Sequence, residues 1–218
     1  MKPSRSNQSS RAFTLVEVAV VIVVMVVIAA IFLPALAAAK RKTSKIGCVN
    51  NLKQIGLTYR LWSVDNNDKY PMEISITNGG TMELINTSDA WKTFQVMSNE
   101  LSTPKILICP QDMAHTTYAT NFGDDLKNKI SYFVGVDSTT NGSSTFLSGD
   151  DNFEINGVAV KSGLLELSTN SPIAWTSARH KFTGNIGLAD GSVQSVTISG
   201  LANLVSQTGL AINRLAIP

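Results

Sequence analysis

From Phe13 to Ala39 the chain is almost unbroken in its hydrophobicity, and Glu17 is the only charge before Lys40. No polar face interrupts this stretch at helical spacing, so a helix built from it is apolar all round and needs a non-aqueous surrounding. At 1.5 Å per residue, the 22 uncharged residues from Val18 to Ala39 extend for about 33 Å, enough for one crossing of a bilayer's hydrocarbon core. Beyond the basic group Lys40, Arg41, Lys42 and Lys45 the pattern changes. Ile46, Val49, Leu52, Ile55, Tyr59 and Trp62 recur at intervals of three and four, which makes one apolar stripe opposite Lys45, Asn51, Lys53 and Arg60. The polar run Asp65 to Asp68, followed by Tyr70-Pro71, ends the pattern, so a continuous helix is predicted from about Phe13 to about Val64. Pro34 lies inside it, where a missing amide donor and a clash with the carbonyl of Ala30 predict a kink or local melting.

The remainder reads as a mixed domain. Ala90, Phe94, Met97 and Leu101 have helical spacing behind a cap at Thr87 or Ser88, whereas Ile106 to Cys109, Tyr132 to Val136 and Ile173 to Trp175 read as short strands. Lys181 to Ala189, Asp190-Gly191 and Ser192 to Ile198 read as a hairpin with a type I′ turn, and Asn156-Gly157 offers a second such turn. The stretch from Asp137 to Asn152, rich in Ser, Thr, Gly and Asp, is expected to be an exposed loop, and Leu201, Leu204 and Val205 behind Ser199 suggest a short C-terminal helix. The fold class expected is α+β, a long N-terminal helix packed on a small antiparallel sheet.

Composition sharpens this in one respect. The formal charge is +2, but after Ile46 there are 11 Lys or Arg against 15 Asp or Glu, so the distal domain lacks the basic footprint of a nucleic-acid binder. No nucleic-acid partner is expected. Positive charges flank the apolar stretch on both sides, so charge alone does not orient it.

The candidate chemistry is sparse. Cys48 and Cys109 both follow the apolar stretch, and in an oxidising compartment they form a candidate disulfide; two separate buried thiols are the alternative. Neither they nor His115 and His180 show the close Cys-x-x-Cys or His-x-x-x-His pairs of zinc modules, so no metal is expected. Asp65 to Asp68 and Asp150 to Asn152 carry oxygen ligands without the spacing of an EF-hand loop. A Gly-x-Ser-x-Gly or His-Glu-x-x-His pattern is absent, so an enzyme is not expected, nor a catalytic residue or a cofactor. His180 would begin the first hairpin strand, where a hydrogen bond pinning a loop competes with metal binding or catalysis as its role. Asp190 reads as a turn residue.

The N-terminus carries a more specific signal. A basic leader with Lys2, Arg5 and Arg11, the small Ala12, then Phe13-Thr14-Leu15-Val16-Glu17 and some twenty apolar residues resemble the start of type IV prepilins and type II secretion pseudopilins. A secretory signal peptide has an apolar region of only about 7–15 residues. A plain membrane anchor would explain the span but not Glu17, whose charge in such a stretch calls for a specific partner. Pro34 sits at the distance from Phe13 at which type IV pilins also have a proline. CVNNLKQIGL at 48–57, ILICPQD at 106–112, and His180 followed by nine residues and Asp190-Gly191 resemble a prepilin-like family with a His-x9-Asp-Gly motif.

The resemblance implies cleavage between Ala12 and Phe13 by a prepilin peptidase/methyltransferase, N-methylation of Phe13, and a role for Glu17 in processing and assembly. It further implies residues 1–12 as leader, 13–39 as the transmembrane and assembly half of the helix, 40–64 as its amphipathic continuation, and 65–218 as an extracytoplasmic head. The expected partners are the peptidase, other pilin or pseudopilin subunits, assembly machinery in the cytoplasmic membrane, and lipid. The expected course is a single pass of the inner membrane and then a type IV pilus or a type II secretion pseudopilus. The alternative is a membrane-tethered binding protein or adhesin that does not polymerise.

Overall fold

The computed structural model describes residues 14–87 and 89–218. One helix, α1, runs from Leu15 to Val64, through Pro34 without a break in the assignment. The local melting expected at that proline is therefore not seen. The chain divides into two compact units after Lys42. In the first, the residues of α1 are exposed throughout, including Val18 to Ile28 and Ile31 to Leu33. In the second, the same helix buries Cys48, Leu52, Ile55, Tyr59 and Trp62.

The buried stripe differs from the expected one at its start. Ile46 is 60% exposed and Val49 is only partly covered, while Cys48 takes the inward position. Cys48, Leu52, Ile55, Tyr59 and Trp62 keep a spacing of three or four throughout, so inclusion of Cys48 re-phases the stripe. Tyr59 is fully buried, with its ring edge-on to Tyr70 at 5.5 Å and to Phe94 at 6.5 Å.

The second unit is built around a six-stranded antiparallel sheet. Its strands are β1 (Tyr132–Gly135), β2 (Phe146–Asp150), β5 (Gly163–Leu167), β7 (Thr183–Leu188), β8 (Val193–Thr197) and β9 (Asn213–Ile217), in the order β5-β9-β1-β2-β7-β8. A smaller sheet holds β4 (Val158–Ala159), β3 (Phe153–Ile155) and β6 (Ile173–Trp175), in that order. Alternation along the large sheet separates two cores. Tyr132, Val134, Leu147 and Ala216 face the α1 stripe, Phe94 and Met97. Phe133, Phe146, Leu215 and Ile217 face the opposite way, toward Trp175, Phe153 and the C-terminal helix α4 (Ile198–Gln207), which contributes Leu201, Leu204 and Val205.

Several elements depart from expectation for local reasons. The helix around Phe94 is two short ones, α2 (Lys92–Val96) and α3 (Ser98–Leu101), separated at Met97; Ser88 lies outside the described residues. Residues Pro104–Leu107 form a 3-10 turn rather than a strand, because Pro104 fixes the first turn and Thr103 Oγ1 accepts a hydrogen bond from the Lys105 amide. The expected loop at 137–152 contains β2, all five of whose residues are buried. Its polar character is deceptive: Ser148 donates to the carbonyl of Phe133, and the Phe133 ring lies where a side chain at Gly149 would stand.

The two hairpin turns also differ from each other. Asn156 and Gly157 both have positive φ, 51° and 78°, as a type I′ turn requires. At the β7–β8 turn only Gly191 does, at 85°; the Gly191 amide bonds to the Leu188 carbonyl and the Leu188 amide to the Ser192 carbonyl. This is a three-residue loop ending in a glycine bulge, not the type I′ turn expected from Asp-Gly.

Candidate functional site

Two places carry the candidate residues, one at each end of the chain's chemistry. At the N-terminus, Glu17 Oε2 accepts hydrogen bonds from the Thr14 amide and the Thr14 hydroxyl, both at 2.8 Å, while the Glu17 amide bonds back to Thr14 Oγ1 at 3.3 Å. This reciprocal pair is a capping box that opens α1. Its Thr-x-x-Glu signature is present in the sequence, and the sequence reasoning above missed it. Ala12 and Phe13, the expected cleavage and methylation positions, lie outside the described residues.

In the head, ILICPQD and the segment around His180 meet. Cys48 and Cys109 are bonded, with sulfurs 2.03 Å apart, which ties α1 to the segment before β1. His180 Nε2 lies 3.3 Å from Cys109 Sγ and 3.3 Å from Asp150 Oδ2. Asn185 bridges them: its amide and Nδ2 each donate to Asp150 Oδ2 at 2.8 Å, and Nδ2 is also 3.3 Å from His180 Nε2.

The preceding residue, Arg179, is the centre of a second cluster. Its guanidinium donates to the Ser131 carbonyl at 2.7 Å, to Asp112 Oδ2 at 2.5 Å and to Asp151 Oδ1 at 2.8 Å. Asp112 also accepts from the Ser131 hydroxyl at 2.6 Å and lies 2.8 Å from His115 Nδ1. Burial alone would push the Asp112 carboxyl up, but His115, Arg179 and Ser131 together hold it well below the usual carboxylate range. The hydrogen bond to Asp112 raises the His115 pKa. Burial raises that of Asp151, despite the opposing Arg179 charge.

His180 does not begin the strand. It sits in a left-handed turn, His180, Lys181 and Phe182 having φ of 54°, 52° and 60°, and β7 starts at Thr183. In a strand, consecutive side chains point to opposite faces. The turn instead lets neighbours Arg179 and His180 both approach Asp150, at 3.9 and 3.3 Å. Left-handed backbone costs about 1–2 kcal/mol per non-glycine residue, so the buried contacts must offset several kcal/mol.

Asp190 Oδ1 accepts from the Ser192 amide at 2.7 Å, and Arg60 of α1 donates to the carbonyl of Ala189 at 3.0 Å. Gly191 lies under that guanidinium and its Cα comes within 4.0 Å of a Cβ placed at Gly56. Both ends of the His-x9-Asp-Gly stretch thus bear on α1, through the disulfide at one end and through Arg60 at the other. The roles of Arg179, Asp112 and Asn185 escaped sequence reasoning; the hints were that Arg179 adjoins His180 and that Asp112 ends the ILICPQD run.

The chain carries a prepilin-type N-terminal signature. The family model of the prokaryotic N-terminal methylation motif matches residues 7–33, which supports a type IV pilin-like family and a prepilin-type substrate. No curated protein and no solved structure matches the chain. The apolar part of α1 is long enough to cross a membrane once and fits a single-pass inner-membrane anchor.

Proposed function

We propose that this protein is a pilin-like structural subunit, cleaved between Ala12 and Phe13 by prepilin peptidase, methylated at Phe13, and assembled through α1 into a type IV pilus or type II secretion pseudopilus. The methylation motif at 7–33 carries the proposal. The exposed apolar residues of α1 from Leu15 to Leu36 support assembly, since such a surface is stable in lipid or against the same helix of other subunits. Glu17 then pairs with the Phe13 amine of a neighbouring subunit, because a carboxylate taken into such a bundle needs a cationic partner. The head, carried by the 40–64 continuation of the helix, lies outside the cytoplasmic membrane, where a disulfide persists. His180, Asp190 and Gly191 serve to fasten the β7–β8 hairpin to α1, and the protein works without catalysis.

Mass spectrometry of the native N-terminus is the test. A chain starting at methylated Phe13 is expected, and recovery of intact Met1-containing protein from cells with an active prepilin peptidase would refute the proposal. A cleft of about 410 Å³ lined by His115, Asn152, Glu154, Thr176 and Arg179 favours a second reading, a tethered binding protein that never polymerises. Glu17→Ala separates the two: loss of filament incorporation is expected of a pilin, and unchanged surface function of a tether.

A further inference from the structure

Cys48, Cys109 and His180 are all buried, and their ligand atoms lie within 4.8 Å of one another. We propose that before its disulfide forms, or whenever it is reduced, the head binds one soft divalent cation of the zinc class through Cys48 Sγ, Cys109 Sγ and His180 Nε2. Residues 61 and 71 apart in sequence make this set, which no rule of close ligand spacing detects.

The chemistry of the surroundings fits the ion. At typical zinc bond lengths the nitrogen–sulfur edge of a tetrahedral site is about 3.6 Å, close to the 3.3 Å between His180 Nε2 and Cys109 Sγ. The two sulfurs, 2.03 Å apart when bonded, need to separate to about 3.8 Å. His180 Nε2 has a donor, Asn185 Nδ2, and an acceptor, Asp150 Oδ2, each at 3.3 Å; a metal requires the tautomer with the lone pair on Nε2, the one to which Asn185 can donate. Two thiolates neutralise a divalent ion, and Arg179 stands 3.9 Å from the Asp150 carboxylate next to the site. Water or another exogenous ligand would complete the fourth position.

The electron balance is simple. Reduction of the S–S bond by a dithiol adds two electrons and two protons and leaves two thiols, the dithiol becoming a disulfide. Binding the cation then releases the two thiol protons to water. Oxidation by a disulfide donor runs the other way: the sulfurs rejoin, the donor takes two electrons and two protons, and the cation leaves. The site is thus a placeholder that holds α1 to the Cys109 segment until the covalent bond replaces it.

Cobalt(II) titrated into the full chain, in detergent micelles with a phosphine reductant, tests the proposal. One cobalt per chain is expected, with the visible bands of tetrahedral cobalt and a near-ultraviolet thiolate-to-cobalt band that Cys48→Ser reduces to about half, in proportion to the thiolates present. The oxidised chain is expected to bind none. His180→Ala and His180→Gln should each weaken cobalt binding at least about tenfold, the lower end of what disturbing a metal histidine costs. Absence of tetrahedral cobalt in the reduced wild type overturns the proposal. So does wild-type affinity in either His180 variant that keeps its helical circular-dichroism signal when oxidised.

Discussion

The two halves of α1 share one backbone geometry and differ in what they were built to touch. From Leu15 to Lys42 hydrophobic side chains surround the helix and none is buried, while from Thr43 to Val64 the buried residues form a single stripe. Hydrophobicity without direction suits a surrounding that is apolar on every side; hydrophobicity confined to a stripe suits a helix with one covered face. A mutation should therefore affect head stability in the second half according to its face, and in the first half hardly at all.

The disulfide offers the largest expected effect. Breaking the Cys48–Cys109 link releases a loop of about 60 residues, worth about 4 kcal/mol on the chain-entropy account. A Cys48→Ser/Cys109→Ser double variant should lose that much in denaturant unfolding followed by tryptophan fluorescence, and reduction of the wild type should approach the same value. A loss below about 1 kcal/mol would show that the stripe alone fastens the helix.

The two faces can then be compared directly. Leu52 is 2% exposed and Leu61 49%. Leu52→Ala should cost about 2–5 kcal/mol of head stability, whereas Leu61→Ala should stay within about 0.5 kcal/mol. Equal costs would mean that the stripe has been assigned to the wrong side.

The helix and its end were legible in the sequence because they rest on local signals: unbroken apolar residues, a three-four periodicity, and Asp65 to Asp68 as a stop. The hairpins at 156 and 190 were legible through their glycines, though the second uses a glycine bulge. β2 was illegible because its Ser148, Gly149 and Asp150 read as loop residues, and they are satisfied by distant partners: the Phe133 carbonyl, the Phe133 ring and Asn185. The same holds for Arg179, whose carboxylates come from residues 112 and 151. No local pattern announces a buried ion pair whose members are 28 and 67 residues apart.

That network should be smaller in effect than the core but dependent on pH. Asp112→Asn leaves Arg179 with Asp151 at 2.8 Å and the more distant Asp150 at 3.9 Å, and should cost about 3 kcal/mol, the lower end for breaking a buried pair. His115 contributes through its raised pKa. Its stabilisation is complete below about pH 6.5, where the imidazole is protonated in both the folded and unfolded chains, and it fades as pH rises through the higher folded value. The stability difference between wild type and His115→Gln should therefore be greatest in mild acid and shrink toward alkaline pH. A difference that grows with pH would assign His115 a neutral role.

The smallest effect separates the two tasks of Glu17. Its carboxylate closes the capping box with Thr14, and the proposed assembly gives it a charged partner as well. Capping requires an acceptor of the right length, which glutamine supplies, whereas pairing with an amine requires the negative charge. Glu17→Gln should therefore keep slow amide hydrogen exchange in the first turn of α1, and Glu17→Ala should lose about 1 kcal/mol of local protection there, roughly a fivefold faster exchange. Filament incorporation should fail in both variants. If Glu17→Gln incorporates normally, the carboxylate acts only as a cap, and the first half of α1 assembles through its apolar surface alone.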